Sequence, residues 1–372
     1  MRASLQRIFA LTLKELLALL RDAASRAVLI GPPLIQLVVF GYAATFDLKD
    51  IPFAIYNQDE GQLSRDLIAR FTGSTNFQLL AVAHDQREVT SLIDNRSVLF
   101  ALSIGPEFTS DLERGRTAHV QLIFDGRDSN TAAIANGYAQ AIVSAFDRSW
   151  NQQHGRKPPP ALLLDRAWFN PNLQSRWFIV PGICGILTLL VSMLTTGLSV
   201  ARERELGTFD QLLVTPLHPA EILPGKALPG FLVGTFEGTL IIVVAIFWFH
   251  VPFTGSLAAL YFGLFCFLLS AVGIGLMISS LAVTQQQGLL GVFLFLVPAI
   301  ILSGFATPIA NMPKAVQLLT YINPMRYFLI IVRGVFLEGS TIPMLLSQYA
   351  PLALIGLVSM SAAVWLFRHR LA

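Results

Sequence analysis

Six stretches of this chain are too long and too apolar to be ordinary core elements of a water-soluble fold: Ala27–Phe46, Trp177–Val200, Leu228–Phe249, Ser256–Leu281, Gly288–Phe305 and Tyr349–Phe367. A helix needs about 20 mostly apolar residues to cross the hydrocarbon of a bilayer. The fifth stretch is short and contains Pro298, so its ends are the least sharply marked. Composition points the same way, with 54% hydrophobic and 13% charged residues, against roughly 45–50% and about 25% in soluble domains. The chain therefore reads as a membrane α-helical protein with six transmembrane helices. A net charge of +3 is too small to suggest nucleic acid as a partner. The two cysteines, Cys184 and Cys266, lie inside apolar runs, which leaves neither a disulfide framework nor a metal-ligand spacing.

Orientation follows from the basic residues beside the spans. Residues 1–26 carry Arg2, Arg7, Lys14, Arg21 and Arg26, and the far end carries Arg368 and Arg370. Six crossings put both ends on one side, which the basic residues make the cytoplasm. Residues 201–226, with Arg202, Arg204 and Lys226, fall on that side too, and the insert 47–176 falls outside. Within 1–26, Leu5, Phe9, Leu13, Leu16, Leu17 and Leu20 recur at helical spacing with charges opposite. That pattern predicts an amphipathic helix lying in the membrane interface, or else a first helix packed on protein.

The insert is a second compositional zone. "IPFAIYN", "FQLLAVA", "SVLFALSI" and "HVQLIFD" read as short buried strands. Between them "GQLSRDLIARF" and "DQREVTSLI" read as helices, the second opened by Asp85-x-x-Glu88. A long helix begins at "DSNTAAIANGYAQAIVSAFDRSW", and "NQQHGRKPPP" reads as a stiff linker before a last strand-like piece, "LLLDRAWF". Strands alternating with helices predict a small α/β domain. His84, His119 and His154 fall on unrelated elements and suggest no catalytic pairing.

Between the second and third spans lies "ARERELGTFDQLLVTPLHP". Gly207 should break the preceding helix. Thr208 has the character of an N-cap, with Gln211 at the capping-box position, and "TFDQLLVT" fits a short helix stopped by Pro216. Arg202, Glu203, Arg204 and Glu205 offer both signs of charge, and with Gly207, Thr208, Asp210 and Gln211 they form a candidate docking element for a partner. A solvated loop is the plainer alternative. Glu237 is the only acid well inside an expected span, and Gly234 and Gly238 bracket it at GxxxG spacing. It is either a pore or substrate contact, or a hydrogen-bonded lock between two helices. Gln36 and Gln285–Gln287 are weaker polar signals, the latter read as a turn between spans four and five. After the fifth span, residues at about 307–337 are apolar but broken by Pro308, Pro313 and Pro324. They predict two short re-entrant helices, with Asn323 as an N-cap and Arg326 and Arg333 near an exit-side gate.

Together "ARERELGTFDQLLVTPLHPAEILPGKALP", "FLFLVPAIILSGFATPIANMP", "LLTYINPMRYFLIIVRGVFLEG" and "FALSIGPEFTSDLERGRTAHVQLIFDGRDSNTA" resemble the permeases of bacterial ABC exporters, of the multidrug-efflux branch with a large periplasmic domain. The resemblance covers nearly the whole chain. It implies half of a pore in the bacterial inner membrane, pairing with a second permease, identical or paralogous. It also implies docking on an ABC ATPase subunit that binds ATP-Mg, and work with a periplasmic adaptor and an outer-membrane channel. Independently of it, a phosphate-cradling loop needs G-x-x-x-x-G-K-[ST]. The one Gly-Lys pair, Gly225-Lys226, is followed by Ala227 and has Ala220 where the first glycine belongs. No cofactor and no catalytic residue are expected in this chain. A lipid or polysaccharide exporter and a membrane-anchored sensor or scaffold are the competing expectations.

Overall fold

The computed structural model describes residues 2–21, 23–43, 48–127, 129–155, 168–170, 174–208 and 219–369. The chain divides into two compact units, Met1–Ala44 with Ala167–Ala372, and Thr45–Arg166.

The smaller unit is built on a four-stranded sheet. Its strands are β1 (Ile51–Asn57), β2 (Phe77–Val82), β3 (Phe100–Ile104) and β4 (Val120–Phe124), in the order β2-β1-β3-β4. β1 pairs in parallel with β2 and β3, and β4 runs antiparallel to β3. Alternation along the strands sends Phe53, Ile55, Phe100 and Leu102 to one face, where they pack with Leu67, Phe71, Ala139 and Phe146. Ala54 and Ala101 face the other way, toward Val89 and Val98. One face thus lies under α3 (Gln62–Thr72) and the long α6 (Ser129–Gln153), and the other under α4 (Gln86–Asp94). The aromatic packing is tight: Phe53 and Phe100 stack at 5.3 Å, and Phe100 and Phe124 at 5.0 Å. Asp85 caps α4, accepting from the Glu88 N–H at 2.7 Å. Helix α5 (Phe108–Glu113) was not expected. At six residues it is too short to show a period, and Asp59 holds it by accepting from the Thr109 N–H and Oγ1–H. The strand-like piece at 162–169 lies almost wholly outside the described residues.

Among its described residues the larger unit has helices and no strand. It comprises α1 (Arg2–Arg21), α2 (Ala23–Ala43), α7 (Ser175–Gly197), α8 (Ser199–Glu205), α9 (Pro219–Phe247), α10 (Leu257–Leu281), α11 (Gln285–Ile301), α12 (Lys314–Leu319), α13 (Pro324–Arg333) and α14 (Leu346–His369). Among the described residues four helices are long and apolar enough to cross a membrane: Ser175–Glu205, Glu221–Phe247, Leu257–Leu281 and Leu346–His369. The two other expected spans appear as shorter apolar helices, Gly31–Tyr42 and Gln285–Ile301. Seventeen residues of α11 rise about 26 Å, just short of a hydrocarbon core of about 30 Å. Gln285–Gln287, expected in a turn, form the first turn of α11. Thr284 caps it, and Gln287 reaches back to the Val283 N–H at 2.9 Å.

Helix α9 begins at Pro219, well before the expected start of the third span at Leu228, so Glu221 and Lys226 lie on its first turns. Proline is tolerated there because the first-turn N–H groups have no intrahelical partner. Beyond α11 the chain breaks as its prolines dictate. Lys314–Ile322 and Pro324–Glu338 meet at 82°. At the corner Asn323 is the N-cap of α13, its Oδ1 accepting from the Met325 N–H at 3.0 Å, while its Nδ2 donates to the Ala299 carbonyl at 2.7 Å.

Candidate functional site

The charged segment between the expected second and third spans turns one carboxylate inward. Glu203 is buried. Its Oε1 pairs with Lys14 Nζ at 3.0 Å, and its Oε2 lies 2.7 Å from Lys226 Nζ, an ion pair without hydrogen-bond alignment. Lys226 is only 2% exposed and also meets Glu15 Oε1 at 3.3 Å. Charges buried this deeply are tolerated only when paired, and here three helices supply the pairs: α1 gives Lys14 and Glu15, α8 gives Glu203, and α9 gives Lys226. Arg7 and Glu221 add a fourth link between α1 and α9 at 3.4 Å. The α1 helix approaches closely because Gly225 has no side chain where Leu11 packs.

The neighbouring charges extend the knot. Arg204 Nη1 donates to the carbonyls of Ser280 (2.8 Å) and Ala282 (3.1 Å), satisfying the end of α10. Glu205 Oε2 accepts from the Gln285 N–H at 2.7 Å, at the start of α11, and Arg202 Nε donates to Gln285 Oε1 at 3.4 Å. A carboxylate at a helix N-terminus and a guanidinium at a C-terminus both follow the helix dipole. Gly207, at φ +68°, ends α8 as expected, with Gly207 N–H to the Arg204 carbonyl and Thr208 N–H to the Glu203 carbonyl. This is the paired closure that a left-handed glycine permits. Leu206 is left 66% exposed beside it. Asp210, Gln211 and the helix expected at 208–215 lie outside the described residues, Thr208 excepted.

A second feature is the seam between α7 and α9. Gly230, Gly234 and Gly238, each one turn from the next, lie against Thr196, Ser192 and Thr188 in antiparallel order. Small residues at this spacing let two helix backbones close up. Glu237 sits beside this row, 3% exposed, and its Oε1 has no hydrogen-bond partner among the described residues. Thr188 Oγ1 and Ser192 Oγ are likewise unpaired. Gly234 and Gly238, which bracket Glu237, thus meet two hydroxyls, Ser192 and Thr188. Their four-residue spacing opposite a glycine row was the signal available.

The third feature is the broken segment. Arg326 lies 4.1 Å over the Tyr321 ring and donates to Thr320 Oγ1. Arg333 lies 3.6 Å over the Phe178 ring of α7, and its Nε and Nη2 have no hydrogen-bond partner among the described residues. Cation–π contacts of this kind keep a guanidinium in apolar surroundings. Asn323 and Arg333 therefore serve different ends of α13, one setting the corner and the other meeting α7.

Long apolar helices, a broken hydrophobic pair and a charge-pinned connector define a multi-pass membrane transport subunit. The chain belongs to the ABC-2 family of transporter proteins, whose profile matches residues 28–365. That family is the membrane subunit of such transporters and not the ATP-hydrolysing component. The chain is 41% identical over 364 residues to the probable multidrug ABC transporter permease YbhR of Escherichia coli K12, covering 98% of this chain and 99% of that one. It is 32% identical over 373 residues to the probable multidrug ABC transporter permease YbhS of the same strain, covering 99% and 98%. It is also 21% identical over 347 residues to the linearmycin resistance permease protein LnrN of Bacillus subtilis, covering 87% and 89%.

Proposed function

We propose that this chain is the transmembrane subunit of an ATP-driven exporter of amphiphilic compounds, drugs among them, in the bacterial inner membrane. Its six crossings keep both basic ends in the cytoplasm and place residues 47–176 in the periplasm. A separate ABC ATPase subunit, carrying ATP-Mg, docks on the segment from Leu206 through Gln211. A second permease, identical or paralogous, completes the pore, and a periplasmic adaptor and an outer-membrane channel continue the path. The observation that carries the reading is the ion knot of Lys14, Glu15, Glu203 and Lys226. It joins the segment's α8 anchor to α1 and α9, so a push on Leu206 and Gly207 is passed to the interfacial helix and to a span together. Cargo meets the Glu237, Thr188 and Ser192 seam and leaves past Arg333 and the corner at Asn323. The names of the two Escherichia coli permeases support drugs as cargo.

The test is a cysteine at Leu206 bearing a short photo-cross-linker in the native host membrane. Capture of a nucleotide-hydrolysing polypeptide is the expected result. Labelling of Leu206 by a membrane-impermeant reagent from the outside, or capture of no such polypeptide, ends the proposal.

A further inference from the structure

A groove of about 530 Å³ runs along the membrane unit where α1, α9, α10 and α14 meet. One wall is Leu223, Ala227 and Phe231 of α9, and the other is Met360, Val364 and Arg368 of α14. Both sets recur every four residues, so each is one straight row along its helix. Eight residues of helix make the rows about 12 Å long, the shape of an extended hydrocarbon chain. The volume is in the range of small-molecule sites, roughly 300–1,000 Å³. Arg368 is the only ionisable residue of the lining, and it sits at one end, in the last turn of α14. No carboxylate among the described residues pairs with it. An apolar slot left empty in a bilayer would forfeit its dispersion contacts. What surrounds these helices and fits the slot is an acyl chain, and what complements a lone guanidinium at its mouth is a phosphate.

We infer that this groove holds one acyl chain of an anionic phospholipid whose phosphate lies against Arg368. The inference rests on the family's membrane setting and not on the cargo or the ATPase. The bound chain fills the space between α1 and α14 at the Leu5 and Ile8 end of α1, while the ion knot gathers at Lys14 and Glu15. Arg368 selects for headgroup charge, and the apolar rows accept any acyl chain. Basic residues at a membrane surface each attract anionic lipid by about 1 kcal/mol, equivalent to about fivefold.

The experiment uses the full chain in phosphatidylcholine vesicles containing a minor fraction of phosphatidylglycerol or phosphatidylcholine with a photoactivatable acyl chain. Labelled peptides are mapped by mass spectrometry. Expected are labels within residues 223–231 and 360–368, about fivefold heavier from phosphatidylglycerol. Arg368→Gln should lower the phosphatidylglycerol label to the phosphatidylcholine level, and Ala227→Trp should remove both. Val364→Trp fills the slot from the opposite wall and repeats the test should Ala227→Trp fail to fold. Equal labelling by the two lipids in the wild type, a preference untouched by Arg368→Gln, or labels confined to peptides outside 223–231 and 360–368 would overturn the inference.

Discussion

Lys226 shows how much one side chain can decide at the start of a membrane helix. Its ammonium is buried between Glu203 and Glu15, and removing it leaves the two carboxylates with only the more exposed Lys14 as counter-ion. Breaking one partner of a buried ion pair costs about 3–5 kcal/mol. Lys226→Met should therefore lower the unfolding temperature of the detergent-purified protein sharply. Adding Glu203→Met should restore much of the loss, and additive losses would show that the two residues are not coupled. Gly207 is decided by backbone alone, since a Cβ there would meet no atom within 4 Å. At φ +68° an L residue costs roughly 1 kcal/mol. Gly207→Ala should leave expression intact, slightly weaken the protein, and lower ATP hydrolysis coupled to drug in reconstituted vesicles. Unchanged coupling would mean the loop's entry angle is immaterial.

At the scale of elements, the α7–α9 seam and the corner at Asn323 carry most of the arrangement. A side chain at Gly234 would collide with Ser192 and Leu268. Gly234→Val should separate the helices and cost more in thermal stability than Gly31→Val, where a Cβ meets nothing within 4 Å. Equal losses would refute close packing at the seam. Asn323 both caps α13 and holds the end of α11 through the Ala299 carbonyl. Asn323→Ala removes a cap worth about 1 kcal/mol and leaves a buried carbonyl unpaired. A drop of about 2 kcal/mol is expected from unfolding measurements. Asn323→Asp keeps the cap but sets an acceptor against the buried Ala299 carbonyl, so it should recover only part of the loss. The exposed row Phe9, Leu13 and Leu17 on α1 lies away from Leu11, which packs on α9. The helix thus packs on protein along one side while its leucine row is left for the membrane interface.

At the scale of the whole molecule, the α/β unit brings its own pH dependence. Burial raises the Asp59 carboxyl, but hydrogen bonds from Thr109, Ser64 and Gly61 outweigh it and leave the group below the usual carboxylate range. Hydrogen bonds from Arg127 push Asp125 down to about 2. Arg127 in turn donates to the Ile93 and Asp94 carbonyls at the end of α4. A carboxyl lowered on folding stabilises the fold above its unfolded value of about 4, and that gain fades as pH falls through the folded value. Hydrogen-exchange protection of β1–β4 should therefore hold at neutral pH and decline between about pH 4 and pH 2. The decline should be shallower in Asp125→Asn, and an unchanged profile in that variant would exclude Asp125 as a source.

The sequence alone determined what depends on local pattern and local chemistry. The strand and helix positions of the α/β unit follow from periods of two and 3.6. The left-handed stop at Gly207 and the Asn323-Pro324 start follow from backbone sterics within a few residues. The apolar lengths made the chain a membrane protein, because only a helix hides its own polar groups in lipid. Tertiary structure decided which charges are free and which are spent. Arg202, Glu203, Arg204 and Glu205 look alike as a run, yet Glu203 is buried on Lys226, and Arg204 and Glu205 close the ends of α10 and α11. Their partners lie more than 20 residues away along the chain. The meeting of Gly234 and Gly238 with Ser192 and Thr188, and of Arg333 with Phe178, also depends on which helices pack together. No window of sequence holds both sides of such a contact, and the energy of a buried charge is set by its neighbours in space.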